Sequence, residues 1–296
     1  MAATHADEGN DPVRAARAAL RIERRRTVDE REALRAFRGR VSSIPDESVS
    51  TGPSDASGGD GFAGVRGLAG GSVKGSVGGA GRGTASPGSR LVAVRDAYRA
   101  TVMSVPHYEA EYDDTYERSV VEEFGPELAY ALTRTDYFHE EYKRSLLSAA
   151  ETAVQEREAF LDALESETES VERAESRLDP IRTEIEAIRD ELGGDAEPRS
   201  ESDDETEAGT PGFGALDACR TRIEALHGDC DRIAARRQRV LAEHERRLAL
   251  SDDVDLPAYC YQDLDVTYPV LAAVGSVGER LDGLRDRIER AMARTR

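Results

Sequence analysis

The chain predicts an all-α protein in which a helical head carries a long antiparallel coiled-coil hairpin, and three observations lead there. Apolar residues recur at alternating intervals of three and four over most of the length, the rhythm of amphipathic helices. Two low-complexity stretches break that rhythm, one in which 14 of the 39 residues 51–89 are glycine and one dominated by Asp and Glu across 193–213. Seven of the ten tyrosines fall between Tyr98 and Tyr142, which concentrates the large, amphipathic side chains of a compact core in one region.

Composition narrows the class further. The 296 residues carry 59 acidic against 40 basic side chains, for a net charge of −19, and 38 of the basic residues are arginine. No apolar run is long enough to span a bilayer, so no membrane is expected. The opening Met1-Ala-Ala-Thr-His-Ala-Asp-Glu has neither a basic start nor an apolar stretch, so no secretory signal is expected. Three scattered cysteines, Cys219, Cys230 and Cys260, do not make a disulfide framework and point to a reducing, cytoplasmic setting.

Taken in order, residues 1–11 read as a disordered tail. Asp11 as N-cap and Pro12 at the first helical position start a basic helix over 12–41, whose apolar row Val13, Ala16, Leu20, Leu34, Phe37 and Val41 is interrupted by Glu23, Thr27 and Glu30. That segment is net +6 in an acidic chain. Residues 42–89 form a Gly/Ser-rich linker with too little apolar surface to offset its ordering entropy. The glycines around Lys74 lack the spacing of a phosphate-binding loop and follow no strand. Residues 90–149 form the Tyr-rich head, with helices starting near Ser89, Asp113 and Pro126.

The first coiled-coil arm spans 150–192. Leu164, Val171, Leu178, Ile185 and Leu192 repeat every seven residues, and Glu167 is the exception in the companion row. Pro180 predicts a kink or a fresh helix start, and the register continues through it. The disordered acidic loop 193–213 follows. The second arm, 214–250, carries Leu216, Cys219, Ile223, Leu226, Cys230, Ile233 and Val240, with Arg237 as its exception. The arms hold 14 acidic against 5 basic residues and 6 against 8, a difference that favours pairing within the chain. Residues 251–296 supply a return segment and a last helix, capped by Thr267, with the seam Val270, Val274, Val277, Leu281, Leu284 and Ile288.

Few constellations suggest chemistry. Arg14, Arg17, Arg21, Arg24, Arg31, Arg35 and Arg38 form a row on the first helix and are the candidate partner-binding residues. The row can pair with the Glu-rich arm, with a protein partner or with phosphates, or be simply a solvated face, and an acidic whole-chain field opposes phosphates. Glu224 with His227 and Asp136 with His139 are two helical pairs, short of the set a carboxylate-bridged metal centre needs. Cys219 and Cys230 sit three turns apart on the seam and read as small buried apolar residues. No catalytic residue, metal or cofactor is expected, nor a small-molecule substrate. Cys260 with His107 or His139 is the one nucleophile pairing the sequence leaves open.

The blocks Arg24-Arg25-Arg26-Thr27-Val28-Asp29-Glu30-Arg31-Glu32, Val94-Arg95-Asp96-Ala97-Tyr98 leading to Met103-Ser104-Val105-Pro106-His107-Tyr108, and Leu264-Asp265-Val266-Thr267-Tyr268-Pro269-Val270-Leu271 resemble a haloarchaeal family known only as a domain of unknown function. The resemblance covers nearly the whole chain outside the low-complexity stretches. It implies a cytoplasm rich in potassium chloride, no assigned activity, and no functional residues to carry over. The reading reached is a non-enzymatic helical interaction or adaptor protein whose partner is another protein or itself. The alternatives are a nucleic-acid-associated regulator using the first helix and an enzyme in the head around His107, Tyr108 and Cys260.

Overall fold

The computed structural model describes residues 11–45, 88–193, 211–248 and 255–295. The tail, most of the Gly/Ser-rich linker and most of the acidic loop lie outside them. The described chain is all-α: α1 (Pro12–Ser43), α2 (Ser89–Arg99), α3 (Tyr108–Glu111), α4 (Tyr116–Arg134), α5 (Glu140–Glu191), α6 (Phe213–Leu248), α7 (Leu256–Cys260) and α8 (Pro269–Arg294), with one 3₁₀ turn at Val102–Ser104. It divides into two compact units. One comprises residues 1–28 and 157–296, the other residues 29–156.

The first unit takes the N-terminal half of α1, the C-terminal half of α5, and all of α6, α7 and α8. Asp11 caps α1 as expected, accepting from the Val13 amide at 3.0 Å. The α5 and α6 segments run antiparallel. Near their joined ends Arg222 reaches Glu184 and Glu191, and far from them Arg237 reaches Glu167. The α1 segment is antiparallel to α5, with Asp11 beside Arg182 and Arg17 beside Glu172 and Glu175. Helix α8 completes the core, its Arg280 meeting Glu186 of α5 and its Asp282 meeting His227 of α6.

Every predicted seam residue of α8 is buried, as are Leu164, Val171, Leu178 and Ile185 of α5 and Leu216, Ile223 and Ile233 of α6. Burial of each such side chain contributes about 1.5–3 kcal/mol, which is why helices with charged outer faces hold together. The two arms therefore do not form a free-standing pair, because α1 and α8 close the other sides of the same core. Helix α5 continues through Pro180 without a fresh start. A proline inside a helix costs about 3 kcal/mol. Leu178 and Ile181, buried on either side of it, offset that cost and hold the register.

The second unit packs α2, α3, α4, the C-terminal half of α1 and the first turns of α5. Its centre is aromatic. The Phe37 ring meets Tyr98 edge-on at 5.3 Å and stacks on Phe124 at 5.7 Å, and Tyr98 shares a 2.9 Å hydrogen bond with Ser119. Lys143, one of the two lysines of the chain, donates to the Ile44 carbonyl at 2.6 Å and ties α5 to the end of α1.

Three boundaries differ from expectation. Helix α5 starts at Glu140 rather than Ala150, because Leu146 and Ala150 are core residues of the second unit. Helix α4 starts at Tyr116 behind a Thr115 cap, and its second half restarts at Pro126 after Gly125, whose φ of 83° suits a residue without a Cβ. Helix α8 is entered through Tyr268 with Pro269 at its first turn, not through a Thr267 cap. The proline, whose missing amide costs nothing in a first turn, fixes the start.

Candidate functional site: a buried polar network in the first unit

Glu167 and Arg237, the two breaks in the arm seams, meet in the core. Arg237 Nη1 donates to Glu167 Oε2 at 2.7 Å and Nη2 to Oε1 at 2.5 Å, the two-pronged geometry that suits a planar guanidinium and a carboxylate. The two residues are 2% and 0% exposed. Tyr261, immediately after α7, donates to Oε1 at 2.6 Å, and Ser170 accepts from Arg237 Nη1 at 3.0 Å. His244 adds a second ring of contacts, with Nε2 3.1 Å from Ser166 Oγ and Nδ1 3.5 Å from Glu167 Oε2.

Burial, and next the Glu167 charge, push the Tyr261 phenol far above its ordinary range, so it stays protonated and acts as a donor. Both carboxylate oxygens thus accept from residues of the same unit. A buried ion pair offsets its desolvation only when its remaining valences are met. Tyr261 and Ser170 meet most of them here, while Arg237 Nε is buried without a hydrogen-bond partner. What this arrangement does chemically is fix register: sliding α5 past α6 would separate two buried charges.

Cys260 lies next to this network. Burial, followed by the charges of Glu23 and Glu167, raises its thiol well above the usual range, which suppresses the thiolate a nucleophile needs. His107 and Tyr108 belong to the second unit. There His107 Nε2 sits 3.1 Å from Glu30 Oε1, and Tyr112 donates to the same oxygen at 2.9 Å. Tyr108 is buried against the Tyr112 ring. His139, in the same unit, lies among the rings of Tyr137 and Tyr142.

The breaks in the α1 row resolve the same way. Glu23 accepts from Tyr259 at 2.9 Å, Thr27 donates to the Glu23 carbonyl, and Glu30 serves His107 and Tyr112. Of the arginine row, Arg17 pairs with Glu172 and Glu175, Arg31 and Arg35 with Glu32, and Arg38 with Glu151. Arg14 is exposed and also has a partner. Arg21 and Arg24 are exposed, and among the described residues they form no ion pair; the same is true of Arg25, which the row did not include.

The remaining pairs disperse. His227 turns to Asp282 of α8, 3.5 Å away, while Glu224 is exposed. Cys219 and Cys230 are buried, and Cys219 donates to Glu191. Among the described residues no group of three or more His, Cys, Asp or Glu is placed to hold a metal ion, and no helix is long and apolar enough to cross a membrane. The second unit has an open groove of about 400 Å³ whose wall mixes Arg95 with Glu117 and Asp136.

The buried network was half visible in the sequence. Glu167 and Arg237 stand equidistant from residue 202, midway along the acidic insert, so opposite charges at matching positions of an antiparallel pair were there to be found. His244 stands seven residues after Arg237, in line with Leu216, Ile223 and Cys230, so its burial was also legible, whereas Tyr261, an isolated tyrosine after a short helix, has no periodicity to betray burial.

By fold this is an all-α protein whose helices close two separate cores, with an ion pair locked in one of them. Residues 11–285 match the family described as Domain of unknown function (DUF7260), and the chain belongs to that family. No curated protein and no solved structure matches it.

Proposed function

We propose that the protein is a non-enzymatic interaction or adaptor protein of a salt-rich haloarchaeal cytoplasm, and that it engages an acidic protein surface through α1. The observation that carries this reading is the exposed cluster Arg21, Ile22, Arg24 and Arg25. Ile22 is 55% exposed, and the three arginines around it make no ion pair among the described residues. An exposed apolar side chain with unpaired guanidinium groups along one side of it has the composition of an interface anchor, since arginine gives planar, multidentate contacts and the apolar residue excludes water. Arg17, Arg31, Arg35 and Arg38 are held by acidic residues of their own chain, which leaves this stretch with cations to offer.

The heptad spacing of α5 and α6 supports coiled-coil packing as the rigid support behind that surface. The chemistry of the buried groups supports a non-catalytic reading. The Glu167 carboxylate is engaged by Arg237 and Tyr261, and the Cys260 thiol is held protonated.

Crosslinking with mass spectrometry on protein recovered at native salt tests the proposal. The expected result is a protein crosslinked near Arg21–Arg25 and lost when Arg21, Arg24 and Arg25 are all changed to Glu. Retention of the same crosslinks by the triple variant would refute it. A gel shift of DNA by the unmutated protein in molar potassium chloride, abolished in the same variant, would replace it with the nucleic-acid reading.

A further inference from the structure

The outer side of the α5–α6 pair carries a second arginine cluster, distinct from the one on α1. Ser170, Arg173 and Arg177 stand three and four residues apart on α5, and Arg236 and Arg237 are adjacent on α6. All five line one small recess of about 10 Å³, room for a single water-sized atom. Two features separate this recess from a stretch of solvated surface. The first is Arg237. It is 2% exposed, its Nη1 and Nη2 are committed to Glu167 and Ser170, and its Nε is a buried donor with no hydrogen-bond partner. A buried N–H without an acceptor is costly, so an acceptor brought to it is favoured.

The second is charge. Glu167 offsets Arg237 and Glu169 offsets Arg173, the latter at 3.3 Å. Arg177 and Arg236 are exposed and form no ion pair among the described residues. The recess therefore carries two uncompensated positive charges in a chain of net charge −19.

We propose that this recess is a binding site for a tetrahedral oxyanion of the phosphate type. One oxygen enters the recess and accepts from Arg237 Nε, and the remaining oxygens stay outside it under the guanidinium groups of Arg173, Arg177 and Arg236. Guanidinium forks match such oxygens two at a time. With one oxygen in the recess, a tetrahedral oxyanion keeps up to three others for the surrounding guanidinium groups, where a carboxylate keeps one. The ligand is either the free inorganic ion or the phosphate group of a small phosphomonoester, which present the same oxygens.

The full-length protein titrated calorimetrically with inorganic phosphate, at ionic strength held constant with potassium chloride, tests this. One saturable site per chain is expected, weakened roughly tenfold by Arg177→Gln or Arg236→Gln, about 1.4 kcal/mol each, and unchanged by Arg21→Gln on α1. Sulfate, of the same shape, is expected to compete. Tighter binding of glucose 6-phosphate than of phosphate assigns the site to a phosphomonoester, and the reverse order assigns it to the free ion. Both substituted side chains are exposed, so circular dichroism should show native helix in each variant. Absence of saturable binding, or equal binding by the Arg177→Gln/Arg236→Gln double variant, overturns the proposal.

Discussion

At the scale of single residues, the informative positions are those that break an apolar row. Glu23, Thr27, Glu30, Glu167 and Arg237 each occupy a place where the helical period calls for an aliphatic side chain, and each is engaged by another residue of its own unit. The physical reason is the cost of leaving a polar group in a dry core. Glu167 and Arg237 make the sharpest case. Changing Glu167 to Ala leaves the Arg237 charge buried without its counterion and is expected to lower stability by about 3–5 kcal/mol. Changing both to Met removes both charges and is expected to recover most of that loss, to neutral or better. Urea unfolding of the two variants against the parent measures the difference. A single variant no less stable than the parent would mean that the pair is not dry.

At the scale of elements, the sequence defined the helices well and their neighbours less well. Periodicity located α5, α6 and α8, because a seam at intervals of three and four exists only on a helix. It placed the start of α5 too late: Leu146 and Ala150 continue the two heptad rows backwards, but Arg157 interrupts the main row, and the residues before it serve the aromatic core of the second unit. Whether Pro180 would interrupt α5 depended on how strongly the flanking turns are packed, which local sequence does not state.

The joined ends of α5 and α6 are held by Arg222, which binds Glu184 and Glu191. Hydrogen bonding from Arg222, and then from Cys219, holds the Glu191 carboxyl below its ordinary value of 4.5. A lowered native value means that the contact stabilises the fold above pH 4.5 and that this contribution fades as the pH falls through the native value. A Glu191→Gln variant should therefore be less stable than the parent at neutral pH, with the gap closing as both are acidified below that value. Chemical unfolding at a series of pH values reads this. A gap independent of pH would show that the carboxylate charge contributes nothing.

At the scale of the whole molecule, charge governs. With a net charge of −19, like-charge repulsion opposes the folded state at low salt. Screening shortens its reach from about 10 Å at 0.1 M salt to about 3 Å at 1 M. Most ion pairs between helices are partly exposed, as at Arg17, Arg38 and Arg222, so each contributes at most about 1 kcal/mol and loses little on screening. Raising potassium chloride to molar levels should therefore stabilise the protein by about 2 kcal/mol or more, a rise of roughly 4–8 °C in Tm. Scanning calorimetry across a salt series checks it, and a falling Tm would place the balance with the ion pairs.

The sequence by itself determined the all-α class, the Asp11 cap of α1, the seams of the long helices, and the burial of Cys219 and Cys230, because each follows from the period of the backbone, a side-chain acceptor for a first-turn amide, and the cost of exposing apolar surface. Only the tertiary structure decided that α1 and α8 share one core with the two arms, that Glu167 reaches both Arg237 and Tyr261, and that four arginines from two helices surround a single recess. Those facts depend on which faces meet, and a periodic pattern specifies that a face will be covered without specifying by what.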